Sequence, residues 1–246
     1  GEKFMEKSPI LLQVAMEVEC SCLLKKIDHL VKREIGGYLF YEGMIRNYPV
    51  VISLSQVGLI EASSSLTIGI ENYHPIAIIN YGIAGATTKE LHVSDMVIGT
   101  NCVNINSYKS SFSPALGGVH PDKWELLTFL SGETDRFLSY SSDEKLLALA
   151  LGNPPKTNYL CGTIGSGDVW NQEVDRVLFL NEKYHILCED MESISTYTIA
   201  HHRDIPVISF KMISDNLLLG EEYDREVGIY LQEYVFSYVE KLIGNF

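Results

Sequence analysis

The sequence predicts an α/β domain built on a largely parallel sheet, and three observations carry that expectation. Apolar runs of strand length alternate with helix-length periodic segments along the whole chain. The 246 residues, 46% of them hydrophobic, supply one large core without requiring a second domain. No internal repeat or low-complexity segment divides residues 1–246, so one domain is expected.

Taken in order, residues 10–14 (Ile-Leu-Leu-Gln-Val) read as the first strand and residues 22–33 as the helix after it. Residues 38–44 and 49–54 form a hairpin across Arg46-Asn47-Tyr48. Residues 58–73 read as a helix that stops before His74-Pro75, because the proline ring disfavours the α region for the residue preceding it. A buried strand at 76–81 runs into a glycine-containing turn, Gly82-Ile83-Ala84-Gly85-Ala86. After a strand at 96–99, about 45 residues rich in Ser, Gly and Pro lack periodicity and read as an irregular insertion, about 101–141, of the kind used as a lid or subunit contact. A helix at 142–151, a strand at 159–164, a second glycine turn at 165–168 and a helix from about 173 follow. The chain closes with a strand at 186–188, a helix at 191–202, a strand at 207–213 and a helix over about 222–242.

Composition excludes several function classes. Against 32 acidic residues stand 19 basic ones, a formal charge of −13, with no basic run that could track a nucleic acid. The five cysteines lack C-x-x-C spacing and read as reduced thiols of the cytoplasm. The apolar run 9–16 is too short for a membrane span and meets acid at once, so a soluble protein without membrane partners is expected. The histidines show no H-E-x-x-H, and adjacent His201 and His202 point in different directions on a helix, so no metal is expected. Neither a G-x-S-x-G elbow nor a P-loop occurs, and Gly82-Ile83-Ala84-Gly85 is not the G-x-G-x-x-G of a dinucleotide site. No cofactor is expected.

The chemistry-bearing residues stand at strand ends, where open α/β sheets build ligand sites. Glu17 and Glu19 follow the first strand, Glu189, Asp190 and Glu192 follow the strand at 186–188, and Ser214-Asp215 ends the strand at 207–213. Each has a plain alternative. Acids favour the first turn of a helix through its dipole, Asp190 could cap the helix from Met191, and Asp215 could close an Asx turn. Three acidic sites on one face favour joint acid/base chemistry over three coincidences. Trp170, after Gly165-Ser166-Gly167-Asp168-Val169, could stack on a planar base or serve as an ordinary core or interface tryptophan.

Together, Ala15-Met16-Glu17-Val18-Glu19, Asn80-Tyr81-Gly82-Ile83-Ala84-Gly85, Ser166-Gly167-Asp168, Asp190-Met191-Glu192 and Ser214-Asp215 resemble, in order, the signatures of the nucleoside phosphorylase/nucleosidase superfamily. Within it the chain is most similar to the 5′-methylthioadenosine/S-adenosylhomocysteine nucleosidases. The resemblance implies a single α/β domain with a mixed, partly barrel-like central sheet flanked by helices. It also implies a cytoplasmic homodimer of methionine salvage and purine metabolism that cleaves the N-glycosidic bond of a small-molecule purine nucleoside. By that resemblance Asp215 is the general acid at the purine N7, Ser214 positions it, and Glu19 activates water on the opposite ribose face. Glu192 accepts from the ribose hydroxyls and Met191 packs under the sugar. Trp170 lies against the base and the backbone of Asn171 reads its edge. Ala15, Met16, Ile83, Ala84 and Gly85 line the ribose side, and Val57 and Tyr223 the pocket for the 5′-substituent.

Three positions depart from the family pattern: Ile83 where a serine is common, Val14 where a glycine is usual, and Lys211 in place of an arginine. A phosphate-dependent phosphorylase is the first alternative, disfavoured because residues 14–22 contain no Lys or Arg to hold phosphate. A non-catalytic nucleoside-binding or storage relative is the second, disfavoured by the presence of Glu19, Glu192 and Asp215.

Overall fold

The computed structural model describes residues 7–127 and 138–246. Strands β1 (Ile10–Val14), β2 (Asp28–Ile35), β3 (Tyr38–Ile45), β4 (Tyr48–Leu54), β5 (Ala77–Ala86) and β6 (Met96–Asn104) come first. Short strands β7 (Tyr108–Lys109), β8 (Glu125–Leu126) and β9 (Ser139–Ser141) precede β10 (Tyr159–Ser166), β11 (Ile186–Asp190) and β12 (Val207–Asp215). The helices are α1 (Ser21–Leu24), α2 (Leu59–Tyr73), α3 (Glu144–Gly152), α4 (Val174–Tyr184), α5 (Ser193–His202) and α6 (Gly228–Ile243).

Among the described residues one ten-stranded sheet runs β11-β10-β6-β12-β5-β1-β4-β3-β2, with β9 paired to β6. Because β11 also pairs with β5, through Cys188 opposite Ala86 and Glu189 opposite Gly85, five strands close into a barrel and the others extend from it as a wing. The sheet is mixed: β1 is parallel to β4 and β5, and β5 to β12, whereas β12 runs antiparallel to β6. That corrects the largely parallel expectation and agrees with the mixed, partly barrel-like sheet. Apolar runs report burial on both faces, not strand direction.

The helix expected over 22–33 is not there. A single turn, α1, gives way to β2, which is exposed along most of its length and is held by its ladder to β3. A strand solvated on both faces has no amphipathic period to read. The overlooked signal was Gly36-Gly37, whose φ values of 60° and 84° make the two-residue hairpin turn that joins β2 to β3. Arg46 and Asn47, at φ 48° and 61°, make the same kind of turn between β3 and β4, as expected.

Alternation along β1 and β5 divides the core. Ile10, Leu12 and Val14, with Ala77, Ile79 and Tyr81, pack with Leu231, Val235 and Val239 of α6. Leu11, Ile78, Ala84 and Ala86 pack on the opposite face with Leu66 and Ile70 of α2 and Ile194 and Tyr197 of α5. At roughly 25 cal/mol per Å2 of apolar surface buried, these two layers are the main stabilising term and fix the strand ends that carry the acids. Residues 82–86 continue β5 rather than turning, and β10 continues through Ser166. The insertion is shorter than 101–141: β6 extends to Asn104 and β9 pairs Asn101 with Ser141, leaving the small β7–β8 hairpin between them. Its residues 128–137 lie outside the described residues.

Candidate active site

After β1 the chain passes through Ala15 and Met16 into a single 3-10 turn, Glu17–Glu19. Glu19 is buried, and its carboxylate closes the turn by accepting from Met16 N at 3.0 Å while its other oxygen accepts from Ile83 N at 3.2 Å. This approach to β5 requires glycine at position 82, where an added Cβ would stand 2.6 Å from Glu19 Oε2. Burial pushes the Glu19 pKa up, opposed by the charge of Lys211 and by the two backbone N–H groups.

Asp215 ends β12 beyond a register shift against β5, where Ile213 faces Ala84 and Asp215 faces Gly85. The bulge turns the carboxyl toward Gly85, whose Cβ position lies 3.4 Å from Asp215 Oδ1. The hydroxyl of Ser214 donates to Oδ1 at 2.9 Å. Burial again raises the pKa, and this hydroxyl is what opposes it. Glu19 therefore has more support for its anion than Asp215 has, a difference that suits the first to a base and the second to an acid.

Between β11 and α5 lie Asp190, Met191 and Glu192. Asp190 accepts from Ser193 N at 3.2 Å, as a cap would, although α5 starts at Ser193 and not at Met191. It also pairs with Lys211 Nζ at 2.7 Å, both side chains buried. Burial works against the Asp190 anion, but Lys211 and the Ser193 hydrogen bonds hold its pKa below the ordinary value. Likewise burial opposes the Lys211 cation, and Asp190 outweighs it and raises the pKa. Glu192 accepts from Gly58 N at 2.9 Å at the start of α2, and burial, with the neighbouring Asp190 charge, pushes its pKa up to about 8. Gly58 has φ 107°, a conformation that disfavours any side chain.

These strand ends border one shared cleft. Every residue to which the resemblance assigns a role is on its wall, whereas Glu17, the other acid after β1, is exposed and outside it. Ala15, Met16 and Glu19 come from the β1 exit, and Ile83, Ala84 and Gly85 from β5. Met191 and Glu192 follow β11, and Ser214, Asp215 and Tyr223 belong to the β12 segment. Val57, Trp170 and Asn171 complete the rim. Trp170 is 62% exposed and leans on Tyr223, with ring centroids 5.2 Å apart, so it stands at the mouth and not in the core. Asn171 is buried, its amide accepting from Glu173 N at 3.0 Å and pointing a weak donor, 3.5 Å away, at Glu189.

The cleft also includes Ala86, Val169, Val177, Leu217 and, above all, Glu189, a member of the acidic cluster that carries no separate role in the family resemblance. Lys211, which departs from the arginine common in the family, lies beneath the cleft against Asp190. A lysine inside the apolar run 207–213 already signals a buried carboxylate partner, since buried ammonium groups are paired.

A family model described as the phosphorylase superfamily matches residues 9–235. The chain belongs to the phosphorylase superfamily. A 5′-methylthioadenosine/S-adenosylhomocysteine nucleosidase of Bacillus cereus (strain G9842) is 26% identical over 215 residues, 85% of each chain. That of Staphylococcus haemolyticus (strain JCSC1435) is 28% identical over 204 residues, 82% of this chain and 83% of its own. Among solved structures, the Campylobacter jejuni nucleosidase of that name superposes with TM-score 0.80 at 23% identity, over 98% of this chain and all of its own. A futalosine hydrolase of Helicobacter pylori superposes with TM-score 0.76 at 20% identity, over 97% of this chain and 98% of its own. Both share the superfamily fold with this chain.

Proposed function

We propose that this protein is a nucleosidase that hydrolyses the N-glycosidic bond of 5′-substituted adenosines such as 5′-methylthioadenosine and S-adenosylhomocysteine. The observation that carries the reading is the pairing of two unlike carboxyls along β5: Glu19 beside Gly82 and Asp215 beside Gly85. Both carboxyls line one cleft, Glu19 from the β1 exit and Asp215 from the end of β12, an arrangement that suits an acid and a base acting on either side of a ribose. Departure of the base puts negative charge on the purine and cationic character on the sugar. Asp215, whose pKa burial raises, donates to the purine N7, with Ser214 fixing its orientation. Glu19, held by two N–H groups, takes the proton of the attacking water. Glu192 spends one oxygen on Gly58 N and offers the other to the ribose hydroxyls above Met191. Trp170 covers the base beside the Asn171 backbone, and Val57 and Tyr223 take the apolar 5′-group. The names of the relatives support this substrate class.

Among the described residues the cleft wall bears carboxyls and no lysine or arginine, and Lys211 beneath it is committed to Asp190. Water suits such a site better than phosphate does. The same reading carries a cytoplasmic homodimer, which sedimentation of the purified chain checks. The deciding experiment follows base release from a panel of nucleosides with and without phosphate. Adenine and free ribose products at a phosphate-independent rate are expected, fastest for apolar 5′-substituents. Phosphate-dependent formation of a ribose 1-phosphate, or nucleoside binding with no base release, would overturn it.

A further inference from the structure

The barrel closure places a second carboxyl at the base end of the cleft. On β5, Gly85 is flanked on one side by Asp215 of β12 and on the other by Glu189 of β11. Residues directly opposite in adjacent strands project to the same face, so the two acids stand on either side of a bare glycine, their Cα atoms separated by two strand spacings, about 10 Å. The Asn171 amide reaches toward Glu189 at 3.5 Å, too long for a strong bond, and no other hydrogen-bond donor engages this carboxyl among the described residues. Glu189 is mostly buried, which pushes its pKa up to about 7, with Asn171 and Arg176 of α4 opposing and Asp215 and Asp190 reinforcing the rise. A largely enclosed carboxyl with one weak partner in a ligand cleft is open to a donor from the ligand.

We propose that Glu189 reads the 6-position of the purine and is the residue that selects a 6-amino over a 6-oxo base. The inference rests on the nucleosidase reading above for the orientation of the base. With Asp215 at N7 and Asn171 at the N1 edge, the carboxyl between them meets the substituent at C6. Above pH about 7, where Glu189 is ionised, an exocyclic amine donates to the carboxylate, whereas a carbonyl oxygen there faces another acceptor with no proton between them. Sites that pair a buried polar group with a substrate hydrogen bond discriminate strongly against an analogue that cannot make it.

The test compares the parent protein with Glu189→Gln, whose amide can donate to a carbonyl, and Glu189→Val, which does neither. Two nucleosides sharing one 5′-group, an adenosine and its inosine counterpart, give the kcat/KM ratio. Titration with free adenine and hypoxanthine, followed by Trp170 fluorescence, gives the same ratio for binding without chemistry. The adenine preference of the parent should fall roughly tenfold or more in both variants, with Glu189→Gln gaining on the 6-oxo partner. A purely structural role would weaken both bases alike. An unchanged ratio, or a parent that binds neither base, overturns the proposal. Base release with an unchanged ratio defeats this inference alone. Selective base binding that Glu189→Gln relaxes, without any base release, leaves this inference standing and defeats the hydrolytic reading.

Discussion

Asp215 and Glu19 are both buried acids with raised pKa values, and their hydrogen-bond partners tell them apart. Asp215→Asn keeps the size and the Ser214 contact but removes the donated proton, so base release should drop by about 10²–10⁴ with the melting temperature held. Glu19→Gln should lose a similar amount in kcat, with a smaller change in KM. Steady-state base release beside a thermal melt checks both variants, and either one turning over at the parental rate defeats the assigned roles. Lys211 answers to a different measurement. Its ammonium is fully enclosed against Asp190, so Lys211→Met strands a buried carboxylate and should cost about 3–5 kcal/mol in urea unfolding. Adding Asp190→Asn, which retains acceptors for Ser193, should restore much of that loss. If the double variant is no more stable than the single one, the stranded charge is not the cause.

At the scale of elements, β5 positions the chemistry by what it lacks. Gly82 gives Glu19 room, and a methyl group there would meet Glu19 Oε2 at 2.6 Å. Gly82→Ala should therefore move the carboxylate and lower kcat by tenfold or more with little change in melting temperature. Gly152→Ala, at the end of α3 where nothing lies within 4 Å, should leave both unchanged. A Gly82→Ala protein that melts early but turns over normally would show the glycine to be structural instead. Much of this arrangement was legible in the sequence, because Glu19, Glu192 and Asp215 each lie at or within a few residues of the end of an apolar strand, and strand ends are where α/β sheets place ligands. Three things were not. Exposed β2 has no buried face to create a period, residues 82–86 resemble a turn until their pairing with β11 and β12 is known, and strand direction leaves no trace in hydropathy. Glu189 was visible as a residue but had no meaning until barrel closure set it across Gly85 from Asp215.

For the whole molecule, this concentration of acid around the cleft makes stability depend on pH in a defined direction. Burial keeps Glu189 and Glu192 protonated in the folded state up to about 7 and about 8, whereas their ordinary value is 4.5. Between those limits the folded protein binds more protons than the unfolded chain, so their contribution is full below about 4.5 and is lost as the pH rises through 7 to 8. Asp190, whose pKa is lowered, acts in the opposite sense but below its ordinary value of 3.8, outside this window. The melting temperature should accordingly be higher at pH 6 than at pH 8.5, by roughly 2–4 °C for each kcal/mol of linkage. The formal charge of −13 contributes in the same direction through self-repulsion that eases toward the pI near 4.9, so the slope alone does not locate its origin. Glu192→Gln and Glu189→Gln separate the two causes, since each removes one titrating cleft group and should flatten the slope. Glu233→Gln, on the exposed face of α6, changes net charge by the same amount and should leave the slope nearly as it was. Equal flattening by all three would assign the pH dependence to overall charge and remove the cleft from the explanation.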